Sequence, residues 1–432
     1  MFPARRAYLF LQGPRSFFFQ QLGQRLIDDG HRVVKVQFSV ADHHYWRLGG
    51  SHAFHEPWPL LGDFIAELWQ RYEITDQVAF GDCSPLHQGV LRTARRRGIR
   101  NHVFAPGYFQ PYWLTLEREG VDGYSLLPRD PGWYYETGAT IAHSLPGRPF
   151  DAGRPRSRLP ARVMDGMVNL VDPLLFRQAY RAVDRANAVY ASRMSPVSIT
   201  TQASRRPASS ANRDFPRQSR RLWHRCETFL QARKPFYLLS LPASQDPRLT
   251  RHSPFTDATQ LLTAALASFA QFAPGRSRLA ILDGEIGSRS RRRQIEALVL
   301  QHGLATRVTH LHAASLPKLI DHASGLVTVG GSDGTLALAR ECPTLALGNT
   351  PYRMPGLATA IAMDDFWMHP MAPDAQLFRR FSSVVMHATQ INGDFHVREG
   401  RDLAVINAAH HLTASVSPLE QLLCDSRLLV AS

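Results

Sequence analysis

Two acidic residues in the stretch 80–135 are candidate catalytic groups because of their positions after predicted strands. Asp82 directly follows an apolar run that ends at Phe80, and Glu117 lies beyond the turn Pro106-Gly107. A carboxylate exposed to a cleft at such a position can act as a nucleophile or as a general base. At both positions the alternative is structural: the carboxylate accepts hydrogen bonds that hold a turn.

The elements around these acids are predicted to alternate between strand and helix. Apolar runs predict strands over Val78–Phe80 and His102–Ala105, with a helix from about Leu86 to Arg97 between them. Ligands of open α/β sheets bind outside the carboxyl ends of strands, so both following turns are expected to face one cleft. From Tyr108 to Tyr135 we expect a long loop of functional type, with a plain surface connection as the alternative.

The same alternation recurs along the chain and predicts an α/β fold. The first unit opens with a strand Ala7–Leu11, a helix over about Ser16–Asp29 and a strand Arg32–Phe38, and a second series begins at Phe236. A chain of 432 residues, of which 44% are hydrophobic, is long enough for two doubly wound cores. We expect domains over 1–150 and 235–395, a helical and basic segment over 151–234, and a helical tail over 396–432.

Two glycine-containing turns are candidate phosphate sites. Gly13-Pro14 follows the first strand, although it is not a full dinucleotide fingerprint. The run 330–334 lies between a buried strand and a helix, where free backbone N–H groups and the helix dipole favour a phosphate. The carboxylate of Asp333 opposes an anion there, so an N-cap role for Ser332 or Asp333 remains the alternative.

The net charge of +14 indicates an anionic partner, or else a base-composition bias that favours arginine codons. The densest basic cluster lies in a Ser-, Pro- and Gln-rich segment that we expect to be the interdomain linker. It suits an anionic membrane surface or an acidic acceptor, with a solvated flexible face as the alternative. Recognised nucleic-acid modules are absent, so no specific nucleic-acid partner is expected. The cluster comprises Arg205, Arg206, Arg213, Arg217, Arg220, Arg221 and Arg225.

Other patterns limit the compartment and the metal chemistry. No stretch reaches the roughly 18 apolar residues that cross a bilayer, and the first residues are too short an apolar run for a secretory signal. The four cysteines are widely spaced without a C-x-x-C pair, and His43-His44 has no partners at ligand spacing. We therefore expect a cytoplasmic protein without a metal site.

Several strings, in order along nearly the whole chain, resemble the capsular polysaccharide biosynthesis and export family of the KpsS/LipB type. The matching strings are 11–14, 81–87, 107–108 with Pro111 and Thr115, 120–131, Asp246, His252-Ser253, 327–329, 348–357, Phe366-Trp367 and Thr389-Gln390.

The resemblance implies a GT-B-like fold and a cytoplasmic enzyme related to the retaining β-Kdo transferases. Such an enzyme takes Kdo from CMP-Kdo and transfers it to a lysophosphatidylglycerol-type lipid, or to the Kdo chain already on it. The implied partners are the nucleotide sugar, the acidic glycolipid, other capsule assembly proteins and the anionic inner face of the inner membrane. Neither a metal nor any cofactor besides the donor substrate is implied.

Expected roles can be given to individual residues if the chain is such a transferase. Asp82 and Glu117 are the acids best placed for catalysis, and Arg129 would pair with the carboxylate or phosphate of the donor, with a salt bridge to Asp130 or another acid as the alternative. His87, Tyr108 and Ser125 are expected in the cleft. The remaining donor-binding positions are Gly13, Pro14, Asp246, Gly330, Gly331, Ser332, Gly334 and Tyr352.

Three departures from the family pattern leave two hypotheses open. Ala105-Pro106 stands where the family has two glutamates, the string 282–285 replaces Lys-His-His-Pro, and 330–332 replaces Asn-Ser-Thr. In the first hypothesis Asp82 or Glu117 has taken over the catalytic role. In the second, the chain keeps the cleft without chemistry and serves as a binding or assembly subunit of the capsule machinery.

Overall fold

The computed structural model describes residues 5–38, 40–141, 217–244, 246–283, 289–312, 315–358 and 361–431. The expected helical and basic segment over 151–234 lies outside these residues up to residue 216. Among the described residues, no helix is both long enough and apolar enough to span a bilayer.

The strands form two sheets. The strands are β1 (Ala7–Phe10), β2 (Arg32–Gln37), β3 (Ser51–Ala53), β4 (Asp76–Phe80), β5 (Arg100–Pro106), β6 (Trp113–Arg118), β7 (Phe236–Leu241), β8 (Arg278–Asp283), β9 (Val308–His312), β10 (Gly325–Thr328), β11 (Thr344–Ala346) and β12 (Gln390–Asn392).

Helices cover both sheets. The α-helices are α1 (Phe18–Asp28), α2 (Val40–His44), α3 (Leu61–Arg71), α4 (Pro85–Arg96), α5 (Pro131–Ile141), α6 (Arg217–Gln231), α7 (Pro247–His252), α8 (Ala258–Phe272), α9 (Arg289–Gln301), α10 (Leu316–Leu319), α11 (Ser332–Ala339), α12 (Met363–Phe366), α13 (Ala375–Thr389), α14 (Arg398–Thr413) and α15 (Pro418–Ala431).

Both sheets have the strand order of a Rossmann fold. The first runs β12-β6-β5-β4-β1-β2-β3, and the second runs β11-β10-β7-β8-β9. The five strands of the second sheet are parallel, as are β1 to β5 of the first, whereas β6 pairs antiparallel with both β5 and β12. This topology confirms the predicted α/β class with two doubly wound sheets.

Continuous apolar runs produce the central strands. Every side chain of β7 is buried. Helices cover both faces of a parallel sheet, so apolar and polar residues do not alternate along its central strands. Leu239 belongs to a core formed with α8, and Leu9 of β1 occupies the matching position in the first domain. The two sheets therefore have separate cores, as the chain length predicts.

The C-terminal segment returns to the first domain. β12 extends the first sheet, α14 packs against α1, and Arg6 donates hydrogen bonds to the carbonyl groups of Leu412 and Ala414 at 2.7 and 3.1 Å. The sequence analysis had grouped residues 390–395 with the second domain. A three-residue strand with ordinary side chains gives no sequence signal of which sheet it joins.

The prediction of a long loop from Tyr108 to Tyr135 is wrong, because the segment contains β6 and the start of α5. Leu114 and Leu116 of β6 pack into the core of the first domain, while Thr115 and Glu117 are buried on the opposite face. The alternation of apolar and polar residues in β6 is typical of a strand. The aromatic residues, prolines and charges on either side of it masked this signal.

Candidate active site

A cavity lined by both domains lies between them. The first domain contributes the turn 81–83 after β4, the residues 105–108 at the end of β5, and Gln110, Val121 and Asp122. The second domain contributes residues 246–248 at the start of α7 and the glycine turn 330–333. The carboxyl ends of strands from both sheets thus meet at one cleft, as the sequence predicts.

Asp82 lies in the wall of this cavity and is only 3% exposed. Its Oδ2 accepts a hydrogen bond from the Val121 amide at 2.7 Å, and its Oδ1 accepts one from the Cys83 thiol at 3.3 Å. Burial raises the pKa of Asp82 to about 6, against the effect of the Val121 hydrogen bond. Asp82 is therefore mostly ionised at neutral pH. Its pKa lies close enough to neutral pH for it to gain or lose a proton during a reaction.

Glu117 occupies a different place from the one that the sequence predicts. It lies on β6, not in a loop, and it does not line the interdomain cavity. Its Oε1 accepts from the Tyr108 hydroxyl at 2.7 Å, and its Oε2 accepts from the Ser125 hydroxyl. Burial raises the pKa of Glu117 to about 8. Tyr108 does line the cavity, so Glu117 supports this wall from behind through the Tyr108 hydroxyl and is not part of the lining of the interdomain cavity.

Arg248 is a cavity residue that the sequence analysis missed. Its Nη2 lies 2.7 Å from Oδ2 of Asp246, and its Nε lies 3.0 Å from Oδ1 of the same carboxylate. Burial acts to lower the pKa of Arg248, but the charge and hydrogen bonds of Asp246 outweigh it and raise that pKa. The string Asp-Pro-Arg is an N-cap followed by proline at N1 and could have predicted the start of α7. It could not have predicted which arginine faces the cleft.

The glycine turn of the second domain lies directly against Arg248. Gly331 has a φ of +83°, and a Cβ built on it would be 2.6 Å from Nη1 of Arg248. Only glycine takes this conformation without strain while leaving room for the guanidinium. Tyr352 supports the turn from behind, donating to the Gly331 carbonyl at 3.0 Å, and a Cβ on Gly334 would be 2.2 Å from that hydroxyl.

The N-cap interpretation of Ser332 and Asp333 is wrong. The N-cap residue of α11 is Gly331, and no side chain accepts a hydrogen bond there. Asp333 instead accepts from the Ser240 hydroxyl of β7 at 2.5 Å. The N-cap position of α11 is therefore a glycine without a side-chain cap, and the N-terminus of this helix lies at the cavity.

Two other expected site residues hold the walls together instead of lining the cavity. Arg129 donates to the carbonyl groups of Thr350 and Asp122, and so joins the two domains. The alternative pairing with Asp130 is not seen, since that carboxylate accepts from two amides at the start of α5. The Nδ1 of His87 lies 2.8 Å from the Gly81 carbonyl, and burial lowers the pKa of His87 to about 4, so the neutral ring fixes the turn before Asp82.

Gly13 and Pro14 lie at a separate, smaller cavity at the end of β1. A Cβ on Gly13 would be 2.6 Å from Cδ2 of Phe19, so the turn requires glycine for the close approach of α1. The structure therefore does not bring these two residues together with the glycine turn of the second domain.

Asp82, Cys83 and His252 form a group that could hold a metal ion. One ligand atom of each lies within 4.8 Å of the others, and all three residues are buried. The Cys83 Sγ lies 2.9 Å from the His252 Nε2, which is a hydrogen-bond distance. Burial raises the pKa of Cys83 well above its ordinary value, so the protonated thiol is favoured over the thiolate that binds metals. The sequence analysis missed this contact because the two residues are 169 positions apart.

The departures from the family pattern fall on the site itself. Ala105 and Pro106 both line the cavity, so no carboxylate enters it from the end of β5. Asp283 is buried at the end of β8 and forms an ion pair with Arg291, whose Nε lies 3.0 Å from Oδ1. Arg291 also donates to the Pro242 carbonyl at 2.6 Å and so holds the segment that leads to Asp246. Glu285 lies outside the described residues.

Two Rossmann-like domains that meet at a cavity define a GT-B-like fold. The chain belongs to the capsule polysaccharide biosynthesis protein family, whose model matches residues 75–396. It is 28% identical to the capsule polysaccharide export protein KpsS of Escherichia coli, over 90% of this chain and 97% of that protein. It is 26% identical to the capsule polysaccharide modification protein LipB of Neisseria meningitidis serogroup A, over 90% of this chain and 91% of that protein.

Solved structures with a similar architecture were also found. A Thermosulfurimonas dismutans KpsC structure, titled a beta Kdo 2,7 transferase, superposes with a TM-score of 0.41 at 11% identity. The match covers 94% of this chain and 99% of the other. A glycosyltransferase from Rickettsia africae superposes with a TM-score of 0.37 at 10% identity, over 95% of this chain and 100% of that one.

Proposed function

We propose that this protein is a capsule-assembly glycosyltransferase that moves Kdo from CMP-Kdo to an acidic lipid acceptor. The observation that carries the proposal is the composition of one cavity. A buried carboxylate, Asp82, stands on the side of the first domain, and Arg248 lies beside the Gly330-Gly331 turn on the other. These are the groups that transfer from a nucleotide sugar requires: an acid at the sugar and an anion site at the departing phosphate.

The two walls divide the reaction between them. Arg248 and the N-terminus of α11 bind the phosphate of the donor and stabilise the CMP that leaves. Asp82 attacks the anomeric carbon as that carbon–oxygen bond breaks, and the bonding electrons leave with CMP. The acceptor hydroxyl then attacks the anomeric carbon from the opposite side, the electrons of the bond to Asp82 return to the carboxylate, and the hydroxyl proton passes to the CMP phosphate or to water. Two successive inversions retain the configuration.

The charge of the molecule supports an acidic acceptor at a membrane. The net charge of +14 attracts anionic substrates and the anionic leaflet in which such a lipid lies. We propose that the protein binds peripherally to the inner face of the inner membrane and meets other capsule assembly proteins there.

Incubation of the purified protein with CMP-Kdo and a lysophosphatidylglycerol acceptor tests the proposal by mass spectrometry of the lipid product. We expect product and CMP from the wild-type protein, and at least a hundredfold less from Asp82→Asn. The exposed Asp130 provides a matched control, because Asp130→Asn makes the same change outside the cavity. Absence of both product and CMP release from the folded wild-type protein would overturn the transferase assignment.

A second candidate function is a binding or assembly subunit without catalysis. The observation in its favour is that Ala105 and Pro106 line the cavity where the family pattern has two acids. Calorimetry with CMP-Kdo separates the candidates when it is combined with the CMP assay. If the protein binds CMP-Kdo tightly but releases no CMP when the acceptor is present, the result supports the hypothesis of a binding subunit.

A further inference from the structure

Asp122 is a second acidic residue on the first domain's wall of the interdomain cavity, and no step of the proposed transfer uses it. It follows Val121, whose amide donates to Asp82 at 2.7 Å, and all three residues line the cavity. Burial raises the pKa of Asp82, and the charge of Asp122 adds to this rise. The two carboxylates therefore lie close enough to act on each other.

The backbone of Asp122 is held in a left-handed conformation, with a φ of +51°. Its amide donates to the Tyr108 hydroxyl at 2.8 Å, and that hydroxyl donates in turn to Glu117 at 2.7 Å. Its carbonyl accepts from the Arg129 guanidinium at 3.3 Å. Few residues with a side chain adopt this conformation, and aspartate and asparagine do so most readily. The fold thus fixes the backbone of Asp122 and favours a short polar side chain there.

The second domain holds the same turn from the other side. The Asn349 side chain donates to the Gly123 carbonyl at 3.3 Å, and the centres of the Tyr124 and His252 rings lie 4.9 Å apart. A Cβ built on Gly123 would clash with Nδ1 of His252, so the turn and α7 are in close contact. Asp122 is therefore preorganised where the two domains meet.

The carboxylate of Asp122 is available to a ligand. In the part of the chain that the structure describes, Asp122 forms its hydrogen bonds through the backbone amide and carbonyl, and no group donates to the carboxylate. The neighbouring acids differ, since Asp82 accepts from the Val121 amide and Asp246 is paired with Arg248. A carboxylate is an acceptor only, so its partner in the cavity must be a donor such as a hydroxyl group.

Charge indicates which part of a nucleotide sugar can meet this carboxylate. On the opposite wall, Arg248 and the N-terminus of α11 provide the site proposed for the phosphate. Two carboxylates on the wall of the first domain repel a phosphate. The sugar must therefore reach from the phosphate site to Asp82, and its neutral hydroxyl groups are the donors that suit Asp122.

We propose that Asp122 binds hydroxyl groups of the transferred sugar and orients the anomeric carbon towards Asp82. Its carboxylate accepts the hydrogen bonds, and the backbone contacts of the turn hold it in place. The identity of the sugar rests on the proposed function, whereas its binding does not require transfer.

Calorimetry of the full chain with CMP and with CMP-Kdo, in the absence of acceptor, tests this role. In Asp122→Asn and Asp122→Gly, CMP-Kdo should bind about fivefold or more weakly, because charge-assisted hydrogen bonds to the sugar are lost. CMP should bind at least as tightly as it does to the wild type, since a negative charge is removed from the cavity. Asparagine and glycine both adopt left-handed conformations, so neither variant strains the turn. Asp130→Asn makes the same change outside the cavity and should leave both affinities unchanged.

The ratio of the CMP-Kdo affinity to the CMP affinity decides the outcome. An unchanged ratio in both variants overturns the proposal, because a residue that only shapes the turn affects both ligands alike or neither. Slower transfer with both affinities unchanged would also overturn it and would indicate a proton acceptor instead. Failure of the transferase proposal would appear separately, as absent CMP release from a wild-type protein whose CMP-Kdo affinity still depends on Asp122.

Discussion

Cys83 of the first domain and His252 of the second lie 2.9 Å apart, Sγ to Nε2, across the interdomain cleft. Cys83 lies in the turn after β4, and His252 is the last residue of α7. Asp82 is the third member of this group. Burial raises the pKa of the thiol and lowers that of the imidazole, so both groups are neutral at pH 7 and joined by a hydrogen bond.

This neutral pair predicts that metal removal leaves the transfer rate unchanged within about twofold, because a protonated thiol is a poor ligand. The measurement is the initial rate of CMP release after dialysis against a chelator. A loss of activity that zinc restores in the wild type, but not in Cys83→Ser, would instead identify the group as a metal site. Cys424→Ser, at an exposed cysteine, is the matched control.

Asp82 predicts an acid limb in the pH profile of the enzyme. The pKa of Asp82 is raised to about 6, and only the ionised carboxylate can attack the sugar. The rate should therefore rise about tenfold per pH unit below pH 6 and level off above it. Initial rates between pH 5 and 8 check this, with Asp130→Asn expected to keep the wild-type profile. A rate independent of pH across this range contradicts the assignment.

The α/β class could be predicted from the sequence because strands, helices and turns have local sequence patterns. Apolar runs such as β7 and the glycine turn before α11 mark strands and their carboxyl ends, so the α/β class and the position of the cleft follow from periodicity. Which side chains face that cleft is decided by pairing between distant residues. Glu117 illustrates this: its place on β6 follows from its pairing with Val103 of β5, and one residue of register would turn it to the other face.

Contacts between the two domains left no signal in the sequence. Arg248 could not be distinguished from the other arginines, because its role depends on Asp246 beside it and Gly331 from another element. The contact between Cys83 and His252 is likewise set by how the domains meet. Such residues become visible only when the geometry of both domains is known.

Glu117 predicts a stability change with pH. Its folded pKa of about 8 exceeds its ordinary value of 4.5, so the folded state keeps a proton that the unfolded chain loses between these values. The free energy of unfolding should therefore fall as pH rises from about 4.5 to 8, by at most about 5 kcal/mol from this group. In Glu117→Gln this fall should be absent, while Glu136→Gln, at an exposed glutamate of α5, should keep it. Urea unfolding at pH 5.5 and 8.5 measures the free energy of unfolding at each pH. An equal change between the two pH values in the wild type and in Glu117→Gln would contradict the prediction.

Arg248 predicts a specific loss of donor binding. Arg248→Gln removes the guanidinium that faces the cavity, and CMP affinity should fall about tenfold or more as a charge-assisted interaction is lost. Arg251→Gln changes the exposed arginine of the same helix and should bind CMP as the wild type does. Calorimetry with CMP gives both affinities, and equal losses in the two variants would indicate only a general charge effect.

Gly331 predicts that one methyl group closes the anion site. In Gly331→Ala the new Cβ would lie 2.6 Å from Nη1 of Arg248, and a φ of +83° strains any residue with a side chain. The turn must shift, so CMP binding should weaken by about tenfold or more and the free energy of unfolding should fall by about 1–3 kcal/mol. Gly275→Ala is the matched control, since a Cβ there meets no atom within 4 Å. CMP affinity in Gly331→Ala equal to that of the control would mean that the donor phosphate does not bind at this turn.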